Sequence, residues 1–222
     1  MPSDGTQGQL VRVDAGTISL EGNLDLPAHA QGVVLFAHGS GSSRHSPRNR
    51  YVAQVLQQAG FATLLIDLLT SAEEAIDRHT GHLRFDIALL AKRLLGATDW
   101  LYDHPPTRHL RIGYFGASTG SAAALVAAAE RPDVVKAVVS RGGRPDLAGP
   151  ALARVRAPTL LIVGAEDLPV IEMNREAMTR LSTEKKLEII SGATHLFEEP
   201  GALEEVARLS CGWFARYLAA KS

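Results

Sequence analysis

Three side chains in this sequence have the types that acyl transfer needs, and each follows a short apolar run. Ser118 stands in Gly116-Ala117-Ser118-Thr119-Gly120, directly after Ile112-Gly113-Tyr114-Phe115. Glu166 and Asp167 follow the run from Thr159 to Val163, and His195 follows Leu187 to Ile190 within Gly192-Ala193-Thr194-His195. A serine hydroxyl is a weak nucleophile at neutral pH and needs a base to take its proton. An imidazole, titrating near neutrality, supplies that base, and a carboxylate fixes its tautomer and stabilises the imidazolium. The charge that such an attack places on a carbonyl oxygen needs preorganised donors, and amides in a loop after a strand serve well.

These residues act together only if the chain carries them to one place. Leu10 to Val13 and Thr17 to Leu26 alternate apolar and polar residues around Asp14-Ala15-Gly16, which predicts an antiparallel hairpin at a sheet edge. Val33 to Ala37 is solidly apolar, as in a strand covered on both faces, and His38 to Pro47 reads as a long flexible loop. Arg48 to Gln58 has helical spacing ended by Gly60, and Phe61 to Ile66 is another buried strand. From Asp67 to Arg84 the pattern fails while Glu73, Glu74 and Asp77 gather. A loop or a short irregular helix near the top of the sheet is expected there.

Ile87 to Leu101 predicts a long amphipathic helix, stopped by Pro105-Pro106. The run from Ile112 into Gly-x-Ser-x-Gly and the alanine-rich stretch to Glu130 read as strand, very tight turn and helix. The remaining periodicities predict strands over Val134–Val139, Thr159–Val163 and Leu187–Ile190, with a loop at Arg141-Gly142-Gly143-Arg144. Helices are predicted over Pro145–Arg154, Val170–Leu181 and Leu203–Leu218. Strands alternating with helices mean an α/β fold: a mostly parallel, twisted sheet with helices on both faces. Right-handed crossovers place every strand-to-helix loop at one sheet edge, where open sheets of this kind bind ligands. Ser140 to Thr159 is too short a stretch to form a separate lid domain.

Composition narrows the function classes. The 222 residues are read as one domain, 1–222, with 1–8 flexible. A net charge of −1 gives no reason to expect nucleic acid or an anionic membrane as partner. Met1 to Gly8 lacks a secretory pattern and no apolar run is long enough to span a bilayer, so a cytoplasmic protein is expected. The single cysteine, Cys211, excludes an internal disulfide and a multi-cysteine zinc site, and its helical surroundings place it in the core. Gly39-x-Gly41-x-x-Arg44 lacks the third glycine of a dinucleotide fingerprint. There is no phosphate-binding Gly-Lys-Ser/Thr and no His-Glu-x-x-His. No cofactor and no metal are expected, and the oligomeric state stays open.

Ser, then Asp, then His at one sheet edge is the chain order of the α/β-hydrolase architecture. From about Val11 onward the chain resembles that superfamily, closest in pattern to the small, lidless dienelactone-hydrolase-like group. The resemblance implies Ser118 as nucleophile, His195 as general base and Asp167 as the orienting acid, since the family's Gly-x-x-Asp is matched from Gly164. It implies an oxyanion hole built from the backbone amides of Thr119 and Ser40, the latter beside His38-Gly39. It also implies hydrolysis of a small ester or lactone through an acyl-enzyme. The founding members of the group carry a cysteine where this elbow has Ser118, so their substrate is not carried over.

Blander readings stand beside these. Ser118 or Thr119 could cap the following helix, and Glu166 or Asp167 the helix beginning near Pro169. A non-catalytic ligand-binding protein on the same fold is the alternative from another class. Acyl transfer or peracid formation would share the acyl-enzyme. His38 is expected to stiffen its loop through backbone contacts. Arg44 and Arg48 lie in or just after the oxyanion loop, and Arg141 and Arg144 follow the strand adjacent to the elbow strand. Loop arginines are usually solvated or paired with nearby acids. Four at one edge nevertheless form a candidate site for an anionic substrate, with Arg141 the first choice of contact, Arg44 the second, and Arg144 also a candidate.

Overall fold

The computed structural model describes residues 8–219; of the stretch 1–8 expected to be flexible, 1–7 lie outside the described residues. β1 (Gln9–Ala15) and β2 (Ile18–Asp25) form the expected antiparallel hairpin, in register from Gln9 with Leu24 to Ala15 with Ile18. β2 continues antiparallel onto β4 (Ala62–Ile66), which pairs in parallel with β3 (Val33–Ala37). β5 (Ile112–Ala117), β6 (Val135–Arg141), β7 (Thr159–Gly164) and β8 (Lys185–Ile190) extend the sheet in parallel. The eight strands run in the order β1-β2-β4-β3-β5-β6-β7-β8.

The central strands are apolar on both faces because helices cover both. Leu35, Tyr114 and Val138 point into one core, and Phe36, Phe115 and Val139 into the other, as a period of two requires. The first core packs under α3 (Ile87–Asp103) and α4 (Thr119–Glu130), and the second under α1 (Pro47–Gln58) and α6 (Ala202–Leu218). α4 is buried almost all round, so its residues are small rather than amphipathic. Truncating a wholly buried residue such as Leu35 to alanine should cost about 2–5 kcal/mol.

Differences from expectation are local. Residues 67–84 contain a regular helix, α2 (Ser71–Thr80), rather than an irregular one. Thr70 and Glu73 close a reciprocal capping box at its start, and Gly81 ends it in the left-handed conformation. Of its side chains only Asp77 is buried, which is why no apolar periodicity marks it. β6 runs on through Arg141, so that residue ends a strand instead of opening a loop. The Pro145–Arg154 segment is two 3-10 turns broken at Gly149. α5 (Leu168–Arg180) completes the set. Among the described residues no helix is long and apolar enough to cross a membrane.

Candidate active site

Ser118 occupies the turn between β5 and α4 with φ 50° and ψ −122°, a conformation that residues other than glycine rarely adopt. The surroundings hold it there. Its N–H donates to the Arg141 carbonyl at 3.2 Å, and its carbonyl accepts from Ser121 and Arg144 N–H groups, each at 3.1 Å. The turn also needs bare backbone on either side. A Cβ on Gly116 would lie 2.5 Å from Ser121 Cα, and one on Gly120 would run into the Ala37 and His38 carbonyl oxygens. The Ser118 side chain makes no helix-capping bond.

Asp167 and His195 meet across the loops after β7 and β8, with Asp167 Oδ2 2.6 Å from His195 Nδ1. Asp167 precedes α5 yet gives its side chain to the imidazole and not to a cap. Glu166 is exposed. With Nδ1–H donating to the carboxylate, the neutral ring keeps its lone pair on Nε2, the atom a base uses. The His195 side chain is 40% exposed and Asp167 14%, so the base reaches solvent and substrate while its partner is held. The turn at 141–144 touches both halves of the site. Besides its bonds to Ser118, a Cβ on Gly142 would lie 3.5 Å from His195 Cε1.

The loop after β3 closes over the elbow, and a Cβ on Gly39 would lie 2.9 Å from Ser118 Cβ. Buried His38 stiffens this loop: its Nε2 accepts from Leu68 N–H at 3.0 Å and its Nδ1 donates to the Gly39 carbonyl at 2.9 Å. The Ser40 amide donates to Thr119 Oγ1 at 2.9 Å. Beside this loop, between it and α2, lies a cavity of about 310 Å³ lined by Gly39, Ser40, Leu69, Glu74, Arg78 and Arg84 among others. Arg84 is fixed by Asp77, which accepts from its Nε at 2.6 Å. Its Nη1 would lie 3.5 Å from a Cβ on Gly41 in the loop after β3.

The arginines singled out from the sequence have other employment. Arg44 donates to both Asp67 and Glu21 carboxylates and to Asn23, so its guanidinium ties β2 and the loop after β4 together. Arg144 makes a bidentate pair with Asp146, and Arg48 pairs with Glu198. Arg141 is 8% exposed, donates to Asn49 Oδ1 at 3.3 Å and lies over the Phe197 ring. Burial, helped by the Arg48 charge, pushes its pKa down to about 10. Its Nε and Nη1 are buried without a hydrogen-bond partner among the described residues, and Arg141 does not line the cavity beside α2. Arg84, which sequence reasoning passed over, lines the cavity together with Arg78. The Thr70–Glu73 box and the Gly81 stop were the signals that could have placed it beside a helix. Among the described residues no group of three or more His, Cys, Asp or Glu is placed to hold a metal ion.

A family model described as the dienelactone hydrolase family matches residues 20–217. The chain is 68% identical to a crystal structure of dienelactone hydrolase from Anabaena variabilis, covering 96% of this chain and 98% of that one with a TM-score of 0.94. Est1E from Butyrivibrio proteoclasticus shares the fold at 18% identity, with a TM-score of 0.74 over 93% of this chain and 99% of that one. Two curated Mycobacterium tuberculosis proteins, each named provisionally as a phosphoribosyl transferase, are 58% identical over 208 residues. That match covers 94% of this chain and 46% of theirs, so the chain spans about half the length of the curated relatives it matches.

Proposed function

Because the chain belongs to the dienelactone hydrolase family, we propose that it is a serine hydrolase of small carboxylic esters or lactones, working through an acyl-enzyme on Ser118. The observation that carries the reading is the Asp167–His195 hydrogen bond of 2.6 Å at the edge where Ser118 is held at positive φ. Ser118 Oγ attacks the carbonyl carbon while His195 Nε2 takes its proton, and Asp167 stabilises the imidazolium. The amides of Ser40 and Thr119 receive the charge on the tetrahedral oxygen. His195 then protonates the leaving alcohol and activates the water that frees the acid. No metal or cofactor takes part.

A preference for substrates bearing a carboxylate extends this reading, and the cavity beside the oxyanion loop supports it. Each of its three acids already has an arginine partner: Asp67 is paired with Arg44, Asp77 with Arg84 and Glu74 with Arg78. The Arg84 guanidinium, pre-set by Asp77, is suited to a planar anion. Arg84 therefore takes the place in this reading that Arg141 and Arg44 held in the sequence.

Phosphoribosyl transfer, named for the mycobacterial relatives, is the competing reading. The part of those proteins that this chain matches is only 46% of their length, and in this chain that part brings Asp167 and His195 together beside the Ser118 turn. We assign hydrolysis to this chain. Acyl transfer remains a variant that differs only in the second nucleophile. Turnover of p-nitrophenyl esters and small lactones by wild type and Ser118→Ala tests the assignment. Loss of turnover in the variant is expected, and full activity in it would refute the nucleophile.

A further inference from the structure

The peptide joining Gly39 to Ser40 is gripped at both ends. Its carbonyl accepts from His38 Nδ1 at 2.9 Å and from Ser42 N–H at 3.2 Å. Its N–H donates to the Thr119 hydroxyl at 2.9 Å, between residues 79 apart in the chain. The His38 end is itself determinate. Leu68 N–H can only donate, so Nε2 carries the lone pair and Nδ1 the proton. A peptide plane held at its carbonyl and at its amide has no freedom left to flip.

Thr119 is where such a grip matters, because it is the residue next to Ser118. It is 2% exposed, and its β-branched side chain is stiff about χ1. A hydroxyl in the first turn of a helix usually bonds its own backbone. This one reaches across to the opposite loop. We propose that Thr119 is a positioning residue for the oxyanion hole. Its Oγ1 keeps the Ser40 N–H turned toward the elbow in the resting protein and gives that N–H up to the carbonyl oxygen as it becomes charged. The exchange runs downhill, since a hydrogen bond to an anion is roughly twice as strong as one to a neutral hydroxyl. The donor is thus oriented before substrate arrives, and no loop reorganisation is left for the transition state.

This inference rests on the reading of Ser118 as nucleophile, and the test separates the two. Thr119→Val removes the acceptor at nearly constant volume, Thr119→Ala removes it with bulk to spare, and Thr119→Ser restores it. For each, kcat and KM are measured on p-nitrophenyl acetate, together with the rate at which a p-nitrophenyl phosphonate modifies Ser118. Losing one oxyanion donor outright costs about 10²–10³ in kcat, so misorienting one should cost roughly 10- to 100-fold. The valine and alanine variants should lose that factor in kcat and in phosphonylation, with KM little changed, and serine should recover most of it. Wild-type kcat in both variants, a loss confined to KM, or no recovery with serine would overturn the role of Thr119. Wild-type protein that the phosphonate leaves unmodified at Ser118 would overturn the nucleophile as well.

Discussion

Asp167 Oδ2 and His195 Nδ1, 28 positions apart in the chain, meet at 2.6 Å and bind the loop after β7 to the loop after β8. In the proposed triad the contact favours Asp167 over its neighbour Glu166, which is exposed. Asp167→Asn should lower kcat by about 10⁴-fold, as when the orienting acid of a serine triad is made neutral and the imidazole takes the wrong tautomer. Glu166→Gln should leave kcat within a small factor of wild type. Steady-state kinetics of both variants checks this, and the reverse ranking would transfer the role to Glu166.

Ser118 is held at φ 50°, and a backbone of this kind costs on the order of 1–3 kcal/mol for a residue with a Cβ. Glycine pays no such penalty. Ser118→Gly should therefore abolish ester turnover while raising stability by about 1 kcal/mol, or roughly 2–4 °C in Tm for a chain of this size. Ser118→Ala should abolish turnover without that gain. Calorimetry of the two variants distinguishes strain from a general effect of removing the hydroxyl.

Burial holds the His38 imidazole below its ordinary pKa of 6.5. As pH falls below 6.5, the unfolded chain takes up a proton at this site and the folded chain resists it, so stability declines with acidification. The decline should be steeper in wild type than in His38→Gln, where the site no longer titrates. Denaturant midpoints from pH 7 to pH 5 give the two slopes. Equal slopes would mean that the folded protein accepts the proton.

Selectivity for anionic substrates should follow Arg84. The ratio of kcat/KM for a carboxylated ester to that for its methyl ester should fall about tenfold or more in Arg84→Gln, equivalent to roughly 1.4 kcal/mol. It should hold in Arg141→Ala, because Arg141 does not line the cavity beside α2. A ratio that collapses only in the Arg141 variant would move the anion site to the other side of the elbow.

The parts of this molecule that were legible in the sequence are those whose residues report their own burial. Val33–Ala37 and Ile112–Ala117 are apolar throughout because both faces are covered. The Gly-x-Ser-x-Gly turn shows its strain in the glycines it needs. α2 was obscure because it buries only Asp77 and is held by polar contacts, Arg93 to Glu73 and Arg84 to Asp77. Such contacts leave no period in hydropathy. The partners of the arginines were hidden for a related reason. A charge in a loop does not reveal its partner, and those of Arg44 are on β2 and just beyond β4, far from it in the chain. The tie between Ser40 and Thr119 likewise exists only once β3 and β5 are paired.

The central claim is that Ser118 is a nucleophile activated by His195 and Asp167. Labelling the intact protein with a fluorophosphonate, followed by peptide mass spectrometry, tests it most directly. One phosphonyl group per chain, located on Ser118, is expected, with labelling that falls steeply in His195→Ala and Asp167→Asn. Absence of label from Ser118, or equal labelling of that serine when His195 is removed, would contradict it.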